Sequence, residues 1–251
     1  MCNVPIFDSL THPMPDGEWV HSKNKRKNSI DCLLSNMDEN NVRWAFAVGM
    51  GRNIGGYKED NYASYIRNAS DRLYPIAFLN FETLDSKQSV YSYLRKLLAI
   101  GYTGIKIHPR LSKITYGNTY LVEVIEVANQ LGLLVFLCTY YWEKSSRSSD
   151  NSLEKLSLLL SKVPEQRIVL LHGGGVRLLE MAEIVRTFKN SILDLSYTIL
   201  KYQGSSIDLD LRFLFNTFDQ RICIGSDSPE FELSLLRRKF DELTYDISLE
   251  K

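Results

Sequence analysis

Short apolar runs rich in β-branched and aromatic residues recur along the chain, and most are followed by a longer stretch with helical spacing. The runs predict strands at Val4–Ser9, Val42–Val48, Tyr74–Asn80, Gly104–His108, Leu134–Thr139, Arg167–His172, Ser191–Ser196 and Arg221–Gly225. Between them, helical spacing predicts Ser29–Asn40, Glu59–Asp71, Asp85–Ile100, Tyr120–Leu131, Ser152–Val163, Arg177–Lys189, Asp208–Phe218 and Glu230–Tyr245. Gly101 and Gly132 follow two of these helices and Pro164 follows a third, where a left-handed turn or a missing amide ends the helix. This repeated alternation predicts an α/β fold, a (β/α)8 TIM barrel with parallel strands inside and helices outside. A doubly wound open sheet would give nearly the same string.

The 251 residues suit one large barrel or two smaller domains, and no linker or shift in composition divides them, so a single domain spanning 1–251 is expected. With 44% hydrophobic and 24% charged residues, the composition is that of a globular chain and excludes disordered and fibrous classes. Thirty basic residues balance thirty acidic ones, which leaves no global field to draw a nucleic-acid backbone. The basic run Lys23–Lys27 and the Ser-rich segment Ser145–Ser152 read as solvated loops. Four scattered cysteines without a CxxC pair suit a reducing compartment. The N-terminus lacks the basic flank and apolar core of a signal peptide, and no stretch is long enough to span a bilayer. The expectation is a cytoplasmic protein with a small-molecule substrate and neither nucleic acid nor membrane as partner. Oligomeric state is left open.

In a barrel of this type the active groups stand at the carboxyl ends of the strands, where the loops are free to vary. Three of the four histidines fall there: His12 past the first strand, His108 at the fourth and His172 at the sixth. Asp227 follows the eighth strand, Cys138 lies near the end of the fifth and Asp194 falls inside the seventh. Lys106 alternates in phase with His108, and Arg110 lies close by. Taken singly, each has a structural explanation: a hydrogen-bonded histidine, a buried thiol, or an aspartate capping a helix. Their convergence on one mouth points to a site. The aromatic residues Trp19, Tyr140, Tyr141, Trp142 and Tyr197 suit either a pocket wall or a subunit contact.

Two glycine-rich stretches admit a phosphate or anion reading. Gly49–Gly56 follows the second strand, but its spacing is one residue too long for a dinucleotide fingerprint. His172-Gly173-Gly174-Gly175 suits either an anion held by backbone amides or a tight strand-to-helix turn. Gly225-Ser226-Asp227-Ser228-Pro229 lacks the second glycine of a nucleophile elbow, which argues against a serine hydrolase.

Five motifs occur in an order that resembles the amidohydrolase superfamily, in its amidohydrolase-related branch of metal-dependent hydrolases and decarboxylases. They are Ile6–Pro13 (IFDSLTHP), Gly101–Pro109 (GYTGIKIHP), Gly132–Thr139 (GLLVFLCT), Arg167–Gly174 (RIVLLHGG) and Arg221–Pro229 (RICIGSDSP). The resemblance implies a divalent metal, commonly zinc, held by a His-x-His pair after strand one, a His after strand five and an Asp after strand eight. It also implies that the strand-six His assists the chemistry.

Here Leu10 stands at the first position of that pair and Cys138 at the strand-five position. What the resemblance leaves of a metal set is His12, Cys138 and Asp227, so zinc binding is expected to be weak or absent. The chemistry expected is hydrolysis of a small anionic ester, lactone or amide, with Asp227 as general base and His172, His12 and Lys106 as electrophilic stabilisers. His108, Arg110 and Cys138 are expected to face the substrate. The alternatives are an inactive barrel used as a binding or regulatory subunit, and a decarboxylase.

Overall fold

The computed structural model describes residues 4–15, 17, 28–50, 59–140 and 151–247. The Lys23–Lys27 run, residues 51–56 of the first glycine-rich stretch, Trp19, Tyr141, Trp142 and residues 145–150 lie outside the described residues. Eight strands are present: β1 Ile6–Thr11, β2 Val42–Val48, β3 Leu73–Phe78, β4 Gly104–Ile107, β5 Leu134–Cys138, β6 Ile168–Leu171, β7 Ser191–Asp194 and β8 Ile222–Cys223. Each pairs in parallel with the next in chain order.

The seam between β8 and β1 is closed by backbone bonds just past the short last strand. Ser9 N–H donates to the Ile224 carbonyl at 2.9 Å, Asp227 N–H to Leu10 at 2.9 Å, and His12 N–H to Ser228 at 2.6 Å. A parallel bridge between Thr11 and Ser228 completes it. The sheet is therefore a closed (β/α)8 TIM barrel, and the open-sheet alternative is excluded.

The helices are α1 Ile30–Glu39, α2 Glu59–Ala69, α3 Lys87–Ile100, α4 Leu121–Gln130, α5 Leu153–Leu160, α6 Leu178–Thr187, the one-turn α7 Thr198–Lys201, α8 Ile207–Thr217 and α9 Leu233–Thr244. Local chemistry sets their ends. Ser86 caps α3 by accepting from Ser89 N–H in a reciprocal capping box, and Gly101 ends it at φ 105°. Ser29 and Ser152 cap α1 and α5 by accepting from the Cys32 and Lys155 amides. Helix α3 turns Val90, Leu94 and Leu97 inward, the i, i+4, i+7 stripe that holds it against the sheet.

The apolar interior has two parts. One lies between the sheet and the helices. The other fills the lumen, where Leu10, Val48, Ile76, Phe136 and Leu171 pack together with Phe46 and Val169 beside them. A side chain of this size gains about 1.5–3 kcal/mol from full burial, so the lumen is a packed core below the mouth.

Strand β1 runs two residues later than the Val4–Ser9 that apolar patterning predicts. Its polar positions are tolerated inside because they are paired. Asp8 accepts from Ser226 Oγ at 2.6 Å, Ser226 N–H at 2.9 Å and Leu10 N–H at 3.1 Å, and Ser9 Oγ donates to Asp194. No helix among the described residues is long and apolar enough to cross a membrane.

Candidate active site

Strand ends β6, β7 and β8 each deliver a non-glycine residue with left-handed backbone: His172 at φ 69°, Tyr197 at 64° and Asp227 at 57°. Such a backbone costs on the order of 1 kcal/mol or more per residue, and it recurs where a side chain has to be aimed. Leu171 points into the lumen, so strict alternation would send residue 172 outward. The left-handed turn instead swings the His172 ring inward, where it is buried. The glycines that follow serve this turn. Gly173 has φ 52°, and a Cβ there would come within 2.9 Å of Leu178. The Gly174 amide donates to Thr139 Oγ1 at 3.1 Å. The glycine run therefore works as a tight turn with one of its amides already used.

At one side of the mouth His12, Lys106 and Asp227 meet. His12 Nδ1 faces the Val48 carbonyl at 3.0 Å, which places the proton on Nδ1 and leaves Nε2 as an acceptor. Lys106 Nζ donates to that Nε2 at 3.2 Å. Asp227 Oδ1 lies 3.3 Å from the same nitrogen. Burial and the neighbouring Lys106 charge hold His12 below its ordinary pKa, outweighing the pull of Asp227. Burial likewise lowers Lys106, against the opposing charges of Asp227 and Cys138. Burial alone would raise the Asp227 carboxyl, but the His12 contact and the charges of His172 and Lys106 hold it well below the usual range.

At the other side, buried Cys138 ends β5 between the ends of β4 and β6, beside His108 and His172. The sheet register explains why: Cys138 pairs with Leu171, so the next residue of β6 rises beside the sulfur. His108 Nδ1 accepts from Leu111 N–H at 3.3 Å, so its Nε2–H is left to face the thiol. His172 Nδ1 faces the Ser196 carbonyl at 3.0 Å, so its Nε2 is left for the same sulfur. Burial would raise the Cys138 thiol, but the charges of the two imidazoles outweigh it and set the thiol well below its ordinary value. Burial disfavours the His172 imidazolium, yet Cys138 and Asp227 prevail and hold it above its ordinary value. For His108 burial prevails and the shift is downward.

His12, Lys106 and Asp227 thus form one group and Cys138, His108 and His172 a second, with Arg110 apart from both. Arg110 stacks over the Tyr140 ring at 5.1 Å, and Tyr140 and Tyr197 present their edges to His172. A further member has a role that the sequence reading did not assign. Asp194 accepts from His172 N–H at 3.2 Å and Ser196 N–H at 3.0 Å, and also from the Ser196 and Ser9 hydroxyls. It fixes the backbone of the turn that aims His172. Its position two residues before Ser196 at the end of β7 is the only sequence signal for it.

The donor set does not fit the divalent metal that the resemblance implies. Leu10 has no donor atom and is buried in the lumen. The His12 lone pair that would face a metal receives the Lys106 ammonium instead. Cys138 lies beside His108 and His172 rather than with His12 and Asp227. Among the described residues no three His, Cys, Asp or Glu side chains are gathered to hold a metal ion. His12, Cys138 and Asp227 therefore do not fit as a metal set.

No family model matches the sequence, and no curated protein matches it. Solved structures do match. An uncharacterized TIM-barrel protein from Bordetella bronchiseptica superposes with a TM-score of 0.81 at 15% identity, covering 98% of this chain and 93% of its own. A probable 2-pyrone-4,6-dicarboxylic acid hydrolase from Acinetobacter baumannii, with citric acid bound, gives 0.66 at 16% identity, covering 97% and 93%. The 5-carboxyvanillate decarboxylase of Novosphingobium aromaticivorans, with bound manganese, gives 0.66 at 10% identity, covering 98% and 92%. The hydrolase and the decarboxylase are TIM barrels of the amidohydrolase superfamily, and theirs is the fold this chain shares.

Proposed function

We propose that the protein is a hydrolase of the amidohydrolase type, acting on a small anionic ester, lactone or amide through its own side chains. The observation that carries this reading is the buried contact of Lys106 with His12, 3.2 Å apart, with Asp227 on the same imidazole nitrogen at 3.3 Å. It sets a cation and a carboxylate side by side at the catalytic end of a barrel.

In this reading Asp227 takes a proton from water as the water adds to a carbonyl carbon. The Lys106 ammonium, steadied by His12, stabilises the oxyanion that develops. The proton held by Asp227 then passes, through His172 Nε2, to the leaving oxygen or nitrogen, the ring being held by its Nδ1 bond to Ser196. We assign Arg110, braced on Tyr140, and His108 to a substrate carboxylate. The dicarboxylate named for the Acinetobacter neighbour is a substrate of this charge type.

The test is a survey of carboxylate-bearing lactones and esters with the purified protein in chelator, followed by Asp227→Asn on any substrate turned over. Loss of about 100-fold or more in kcat is expected. Undiminished turnover by the variant rules out the assignment of the base.

A further inference from the structure

The mechanism just proposed leaves a buried nucleophilic group unused. Cys138 ends β5, buried, between the histidines that follow β4 and β6. Both rings are held from behind: His172 by the Ser196 carbonyl at 3.0 Å, His108 by the Leu111 amide at 3.3 Å. A nucleophile, a base beside it and a group that orients the base are the parts of an activated covalent site. Asp194 reinforces the arrangement, since it binds both the His172 amide and the Ser196 amide. A thiol serving only as core would have apolar neighbours. This one has His108, His172 and Lys106 as electrostatic neighbours, and the Tyr116 hydroxyl donates to its carbonyl at 3.4 Å.

We infer that Cys138 is a covalent nucleophile, with His172 as its proton partner and His108 as a hydrogen-bond donor to the sulfur. The inference rests on the hydrolase reading for its substrate class, an ester or lactone. The sulfur attacks the carbonyl carbon, its proton passing to His172 Nε2, and a C–S bond forms as the carbonyl π pair moves onto oxygen beside Lys106. The oxyanion collapses and the C–O bond breaks. His172 returns the proton to the departing alcohol, leaving an acyl thioester on Cys138. Water, deprotonated by Asp227, then attacks the thioester. The C–S bond breaks, the sulfur recovers its electron pair and takes back the proton held by Asp227, and the acid leaves. Water is the sole co-reactant, and no oxidant or reductant is required. The lowered thiol and raised imidazole agree with this assignment of roles.

The experiment uses the intact folded protein. It is treated with iodoacetamide across a pH series, and adducts are located by peptide mass spectrometry. Cys138 is expected to alkylate at a rate nearly flat down to about pH 6, whereas an ordinary thiol slows about tenfold per unit below its pKa of about 8.5. In His172→Asn, and independently in His172→Gln, the ordinary slope is expected to return. A Cys138 that resists alkylation at every pH, or that shows the ordinary slope in the unaltered protein, overturns the inference.

The second arm is p-nitrophenyl acetate, with expected release of p-nitrophenol equal to one per chain in an initial burst and an acetyl group on Cys138. Cys138→Ser and Cys138→Ala are expected to lose both. Acylation without subsequent turnover upholds the nucleophile and removes the hydrolase reading. Turnover that survives in both Cys138 variants upholds the hydrolase reading and removes the nucleophile.

Discussion

Lys106 Nζ sits 3.2 Å from His12 Nε2, on the nitrogen lone pair that a metal ion would otherwise take. The mouth thus carries a cation that is part of the chain. Replacing Lys106 with Met is expected to lower kcat/KM by about 10²–10³, the usual cost of removing one donor to a developing oxyanion. It is also expected to let the His12 pKa rise, because the Lys106 charge is one of the two causes that depress it. Histidine NMR titration reads the second effect directly, and an unmoved His12 resonance would falsify the electrostatic link.

Activity is expected to fall on the alkaline side as Lys106 loses its proton. Because burial lowers its pKa from 10.5, this limb should lie below that value. A pH profile of kcat/KM in the unaltered protein and in Lys106→Arg checks it. The arginine variant keeps its charge, so its alkaline limb should move upward.

The Asp8 carboxyl is raised from 3.8 to about 7 by burial, which outweighs the three donors it receives. In the folded state it holds its proton over a range where the unfolded chain has lost it. Its contribution to stability is therefore full below pH 3.8 and is lost as pH rises through about 7. At about 1.4 kcal/mol per unit, the loss amounts to a few kcal/mol. Urea titrations at several pH values should show a falling limb in the unaltered protein that is missing from Asp8→Asn. Parallel curves for the two proteins would mean that Asp8 is not the group responsible.

Truncating Leu10 to Ala is expected to destabilise the barrel by about 2–5 kcal/mol, since it opens a cavity among Val48, Ile76, Phe136 and Leu171. Calorimetry measures the change. A cost under about 1 kcal/mol would show that the lumen relaxes around the gap and that Leu10 is not a packing residue.

Much of this was legible in the sequence, for identifiable reasons. Strands such as Val42–Val48 lie inside a closed barrel with apolar neighbours on both faces, so their residues announce them. Strand β1 was misplaced because Asp8 and Ser9 look like loop residues until Ser226 and Asp194, far along the chain, are seen to pair with them. The one-turn helix α7 gave no periodic signal, being only four residues long. Helix α9 starts at Leu233 rather than Glu230. The site was found as a set of residues, but its division into two groups depends on register and on the left-handed φ of His172. Neither can be read from one strand at a time.

The seam between β8 and β1 depends on few bonds, and one of them runs from the Asp227 amide to Leu10. The residue assigned to water activation therefore also helps fasten the barrel. A compound that settles on the mouth binds only the closed form, and by mass action it shifts the whole chain away from unfolding, by about 2.7 kcal/mol at a hundred times its Kd. Melting temperature thus becomes a route to the substrate: a library of small carboxylates can be ranked by thermal shift before any reaction is known.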